Sequence, residues 1–180
     1  MANPSQIEDW LAQEQQVRQR MGKGAGPGVA TADQIRNLSG LESLQAMLRG
    51  SLPYATITKT MDFMLMEAGD GRAVFQGVPS GAFLNPMGSL HGGWYATLLD
   101  SAMGCAVQTA LPAGRAYTTA EMSMNIVRAV GPQVTRVRAE GYLLHCGRQL
   151  ATAEGRLVGP DGTLYAHSTT TCLVFELGRT

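Results

Sequence analysis

One apolar run, Gly92–Leu111, carries a single charged residue, Asp100, and is flanked on both sides by strand-like segments. Its Ala, Leu and Met content, ending at Pro112 and Gly114, predicts a buried helix. Beyond it, Val137, Ala139, Gly141 and Leu143 alternate with Arg136, Arg138, Glu140 and Tyr142. Ala151, Ala153, Gly155 and Leu157 alternate in the same way with Thr152, Glu154, Arg156 and Val158. A period of two gives strands with one face buried. Several inward residues are Ala or Gly, so a helix can lie close against them. An antiparallel sheet wrapped around one central helix is the simplest way to bury both, which predicts an α+β fold.

The other elements fit around that pair. Tyr54–Met66 reads as a strand, with Gly69-Asp70-Gly71 turning into a second at Arg72–Val78. Pro160-Asp161-Gly162 is a hairpin turn into a last strand, Thr163–Glu176. Residues 3–21 predict a helix capped by Asn3, with Pro4 at its first position and Ile7, Trp10, Leu11, Val17 and Met21 roughly on one side. Gly22–Gly28 reads as a flexible linker. Ser39 and Glu42 form a capping box for another helix, with Leu41, Leu44, Met47 and Leu48 on its apolar face and Gly50 and Pro53 at its end. The expected division is residues 1–50 as an N-terminal helical extension and 51–180 as the α+β domain.

Fourteen basic residues balance fourteen acidic ones, which gives no electrostatic reason to expect a nucleic acid or an anionic membrane as partner. Cys105, Cys146 and Cys172 are widely spaced, and with three histidines they suggest no metal cage. The first residues lack a basic and apolar leader, and no segment reaches the eighteen or so apolar residues of a membrane helix. A cytoplasmic protein is expected.

Chemistry concentrates in Asn85-Pro86-Met87-Gly88-Ser89-Leu90-His91-Gly92-Gly93, just ahead of the helix. Unpaired N–H groups and the helix dipole at such a start can hold a developing oxyanion. Taken alone, the two glycines could be packing residues, His91 a helix cap and Asn85-Pro86 a turn. Asp100 is harder to explain away, because a lone carboxylate in an apolar run is costly unless paired or used. Eight residues separate Gly92 from Asp100, about 12 Å along a helix. If both act on one bond they must come from two helices, so the spacing predicts a twofold dimer with two shared sites.

The series Asn-Pro-x-Gly-x-x-His-Gly-Gly, Asp100, and then Tyr117-Thr118-Thr119-Ala120-Glu121 resembles the PaaI-type acyl-CoA thioesterases of the hot-dog superfamily. The similarity runs from Gly50 to Val174 and takes in Arg115–Arg128 and Leu164–Ser168. It implies a hot-dog fold and hydrolysis of an acyl- or aryl-acyl-CoA to free acid and CoA, without metal or organic cofactor. It also implies a homodimer at least, with a dimer of dimers expected. By the same resemblance the Gly92 N–H receives the thioester oxygen. Asp100 of the facing subunit is general base or nucleophile, and Asn85 holds water or polarises the thioester. His91 orients the loop and Thr119 positions water or the carboxylate. Gly93, Met122 and Arg128 are expected at the substrate. Ala129 departs from the pattern, since relatives often have Pro there. His145 and His167 read as structural, and Cys105 as a poor candidate nucleophile. Two other functions share these features: an enoyl-thioester hydratase or dehydratase, and a non-catalytic acyl-CoA-binding module.

Overall fold

The computed structural model describes residues 4–177. The central helix α5 (Gly92–Thr109) follows four helices, α1 (Pro4–Lys23), α2 (Ala32–Ile35), α3 (Gly40–Leu48) and α4 (Ile57–Thr60), and two strands, β1 (Phe63–Gly69) and β2 (Arg72–Gly77). Four strands come after it: β3 (Arg115–Ile126), β4 (Val137–Cys146), β5 (Leu150–Val158) and β6 (Leu164–Glu176). They form one antiparallel sheet in the order β1-β2-β4-β5-β6-β3.

The sheet curls around α5, and the small residues predicted to permit this do so. Gly141 backs onto the Ala102 carbonyl so closely that a Cβ would collide with it. Ala139, Ala151, Ala153 and Ala166 are fully buried around the same helix. Trp94, Leu98, Leu99, Met103 and Val107 fill the space from the helix side. β1 and β2 are buried on both faces, which their continuous apolar run reflects. Phe63, Leu65, Ala73 and Phe75 belong to the core around α5. Met64, Met66 and Val74 instead pack with Val17 and Met21 of α1.

A buried polar network fastens α1 to the sheet. Gln76, fully buried, donates to the Trp10 carbonyl and to Glu14 Oε2, at 3.2 and 2.9 Å, and accepts from Arg138 Nε at 2.8 Å. Arg18 and Arg136 also reach Glu14, at 2.7 and 2.5 Å. The Arg138 guanidinium lies 4.4 Å from the centroid of the Trp10 ring. Burial pushes the Glu14 carboxyl up, but these donors outweigh it and hold it below the ordinary range. A depressed carboxyl contributes stability that is complete above its unfolded value, about 4.3, and is lost as pH falls through the folded value. The expected result is that the melting temperature of Glu14→Gln lies below wild type near pH 7 and that the gap closes toward pH 3, measured by circular dichroism.

Three expectations change. The strand placed at Tyr54–Met66 begins only at Phe63, because Thr58 Oγ1 donates to the Ala55 carbonyl and a helical turn forms instead. The Gly22–Gly28 stretch is not a free linker: the Ala25 N–H donates to the Gly50 carbonyl, the Gly28 N–H to the Tyr54 carbonyl, and the Tyr54 N–H to the Gly26 carbonyl. Leu11 is 39% exposed and takes no part in the buried face formed by Trp10, Val17 and Met21. The Asn3 cap lies outside the described residues. The Ser39–Glu42 capping box is present, with both reciprocal bonds. α3 then docks beside α5, where the Gly40 N–H donates to the Leu111 carbonyl and Gly40 leaves no room for a Cβ against Gln108.

Candidate active site

The motif loop is a tight hairpin held by Asn85. Its Oδ1 accepts from the N–H groups of Met87 and Ser89 at 3.0 and 3.1 Å, and its backbone N–H donates to the Ser89 carbonyl. Gly88 takes the turn position at φ +78°, where a side chain would be strained. The His91 N–H donates to the Phe83 carbonyl, fixing where α5 begins.

His91 is the N-cap of α5, and its Nδ1 accepts from the Gly93 N–H at 2.9 Å. That bond requires the neutral tautomer with the proton on Nε2. A Cβ at Gly93 would come within 3.0 Å of the His91 ring, so the second glycine serves the cap. The Gly92 N–H has no hydrogen-bond partner among the described residues. It points from the first helical position with the helix dipole behind it, an open site for negative charge. The space around Gly92 is ordinary, its nearest potential neighbour being Ile126 Cδ1 at 3.5 Å.

Two turns further along α5, half-buried Asp100 accepts a 2.8 Å hydrogen bond from Thr119 Oγ1 on β3. No ion pair reaches it among the described residues. Its inner neighbours are Cys105 and Tyr117. Burial and the nearby Asp100 charge push the Cys105 thiol up to about 12, which rules out a thiolate nucleophile at neutral pH. Tyr117 is pushed well up by burial and by Cys105, so it stays a neutral hydroxyl. Asp100 and Thr119 are thus brought together in one chain. Gly92 remains about two helical turns away, with the end of β3 rather than its middle beside it.

Residues 87–166 match the family model of the thioesterase superfamily. The fold is similar to a phenylacetic acid degradation-related protein from Ralstonia eutropha, at 28% identity and TM-score 0.66, covering 73% of this chain and 98% of that one. It is also similar to the phenylacetic acid degradation protein PaaI from Thermus thermophilus, at 26% identity and TM-score 0.58, covering 65% and 96%. The fold is the hot-dog fold, and the chain is a thioester hydrolase. A hypothetical thioesterase from Streptococcus pneumoniae, solved with coenzyme A, shares the fold at 23% identity and TM-score 0.56, covering 63% of this chain and 86% of that one. No curated protein matches the chain.

The remaining candidates of this thioester hydrolase sit at different distances from the motif. Met122 is half-buried on β3 and packs against the core. Arg128 is exposed just past β3, where it lines a hollow of about 260 Å³ with Ser89, Leu90 and Tyr95. Both His145 and His167 are exposed strand residues. No cluster of three or more His, Cys, Asp or Glu able to hold a metal occurs among the described residues. No helix among them is long and apolar enough to cross a membrane. Sequence reasoning missed the residues that surround Asp100 from the N-terminal segment, chiefly Leu44, Met47, Tyr54 and Thr58. The capping box located α3, but nothing in the sequence aims its apolar face at α5.

Proposed function

We propose that this thioesterase hydrolyses acyl-CoA esters in a homodimer whose two chains share each site. The observation that carries this is the split of the chemistry: an open N–H at Gly92 and, at Asp100, a carboxylate that no ion pair reaches among the described residues, too far apart on one helix to act together. β3 supplies the means to join them. It is an edge strand of twelve residues, largely exposed, and such an edge calls for a partner. Pairing β3 with its twofold copy, centred near Met122 and Ser123, sets Thr119 and Asp100 of one chain opposite Ile126 and Gly92 of the other. The exposed outer faces of Leu150, Leu173 and Phe175 would favour a further dimer-of-dimers contact. Unpaired cysteines at positions 105, 146 and 172 favour a cytoplasmic setting.

In this reading the thioester oxygen sits at the partner's Gly92 N–H. Asp100 takes a proton from water as the water oxygen attacks the carbonyl carbon. Negative charge gathers on the thioester oxygen at the α5 N-terminus, then the C–S bond breaks. The CoA thiolate leaves and takes the proton from Asp100, giving free acid and thiol. Direct attack by Asp100 would instead give a mixed anhydride that water then opens. Asn85 has its Oδ1 committed to the loop, which leaves its amide hydrogens for the water or the thioester. Arg128, exposed beside the motif loop, would meet CoA phosphates.

A panel of aryl- and fatty-acyl-CoAs assayed for thiol release tests the activity, with turnover expected on at least one. Enoyl-CoA absorbance should stay constant apart from hydrolysis. Binding without turnover across the panel would favour the non-catalytic module. For Thr119, losing a hydrogen bond to a charged group predicts a drop in kcat of about ten- to a hundredfold in Thr119→Val. Thr119→Ser, which keeps the hydroxyl, should retain near wild-type kcat.

A further inference from the structure

Asp100 also lines a cavity of about 260 Å³ that runs from α5 toward the N-terminal segment. Its apolar walls include Leu44 and Met47 of α3, Leu65 and Phe75 of β1 and β2, and Cys105. Asp100 is the one charged residue among those that line it. The α3 wall, together with Tyr54 and Thr58, lies outside residues 87–166 that match the family. A cavity of about 150 Å³ accepts a benzene ring, so this one has room for a ring with a short tail or for a medium straight chain. Beyond it lies a second cavity of about 240 Å³, against Val29, Ile35 and Leu38. The two share Met47, Gln108 and Tyr117, which therefore form the partition between them.

We propose that the first cavity takes the acyl group of the thioester hydrolysed at Asp100, that this group is uncharged and apolar, and that Met47 sets how long it can be. The proposal rests on Asp100 as the reacting carboxylate. An acyl chain ending in a carboxylate would lose its water in an apolar cavity that offers no cation and already holds one anion. Apolar chains and aryl rings bring no such penalty. Met47 is unbranched and adaptable, so its length rather than a fixed shape closes the cavity. Alanine there would join the two cavities, whereas tryptophan would fill the first.

The test compares kcat/KM for acetyl-, hexanoyl-, phenylacetyl-, dodecanoyl- and succinyl-CoA in wild type, Met47→Ala and Met47→Trp. Each ratio is taken within one protein, so partial loss of folded enzyme cancels. Wild type should favour hexanoyl- or phenylacetyl-CoA over succinyl-CoA by about a hundredfold. Met47→Trp should lower the phenylacetyl-to-acetyl ratio by about tenfold or more, and Met47→Ala should raise the dodecanoyl-to-hexanoyl ratio by a similar factor. Acyl ratios that both variants leave at wild-type values, or a preference for succinyl-CoA, would overturn the pocket assignment while leaving the thioesterase reading intact. A wild type inert on every CoA ester would overturn that reading itself.

Discussion

Asp100→Asn should lower kcat by about a thousandfold while the protein folds as before. General base catalysis by a placed side chain is worth about 10²–10⁴ in rate. Asparagine has the same shape and can still accept from Thr119 Oγ1, so the contact with β3 at 2.8 Å survives the change. What disappears is the proton acceptor, or the nucleophile if attack is direct. KM should move little, because the cavity walls are untouched. Stopped assays of thiol release at saturating substrate, paired with a melting curve, check both parts. The two chemical routes separate in oxygen-18 water: single-turnover label appears in the Asp100 peptide only if that carboxylate attacks the thioester.

Gly92→Pro should cost about 10²–10³ in kcat, the loss expected when one oxyanion donor is removed. The substitution suits the backbone. Gly92 is the first residue of α5, where proline is favoured because the N–H makes no intrahelical bond. His91 ahead of it is extended, at φ −66° and ψ 135°, the region a residue before proline adopts. The melting temperature should therefore stay within a few degrees of wild type. Gly92→Ala is the control. It keeps the N–H, and its Cβ would rest at an ordinary 3.5 Å from Ile126, so activity should fall only severalfold. Equal losses in the two variants would mean that space rather than the N–H matters at position 92.

Much of the fold was legible because it rests on local pattern. The strand alternation after residue 136 and the lone apolar helix dictated the sheet around α5, and the Ser39–Glu42 box marked α3. Elements decided by side-chain to backbone competition were not legible. Thr58 turns the chain at Ala55 into a helical turn where its neighbours alone suggest a strand. The linker glycines suggested freedom, yet the groups that bind them come from residues 50–54, about 25 positions on.

At the site, the motif identified the groups but not their division of labour. His91 spends its Nδ1 on Gly93, and that bond distinguishes the two glycines: Gly93 supports the cap, and Gly92 keeps its N–H open. Residue order cannot express this. The cavity beside Asp100 was hidden for a different reason. Its walls come from segments separated by up to 96 positions, Met21 to Tyr117, and only their packing brings them together.

The central claim is that each chain carries half of each site, and subunit mixing tests it most directly. Asp100→Asn and Gly92→Pro chains, each bearing a different tag, are co-expressed, and the mixed dimer is purified through both tags. One of its two sites then pairs an intact Gly92 with an intact Asp100, while the other has neither. The mixed dimer should recover about half of the wild-type kcat per dimer, although each parent homodimer is nearly inactive. A mixed dimer as inactive as its parents would place Gly92 and Asp100 of a site in the same chain and contradict the account.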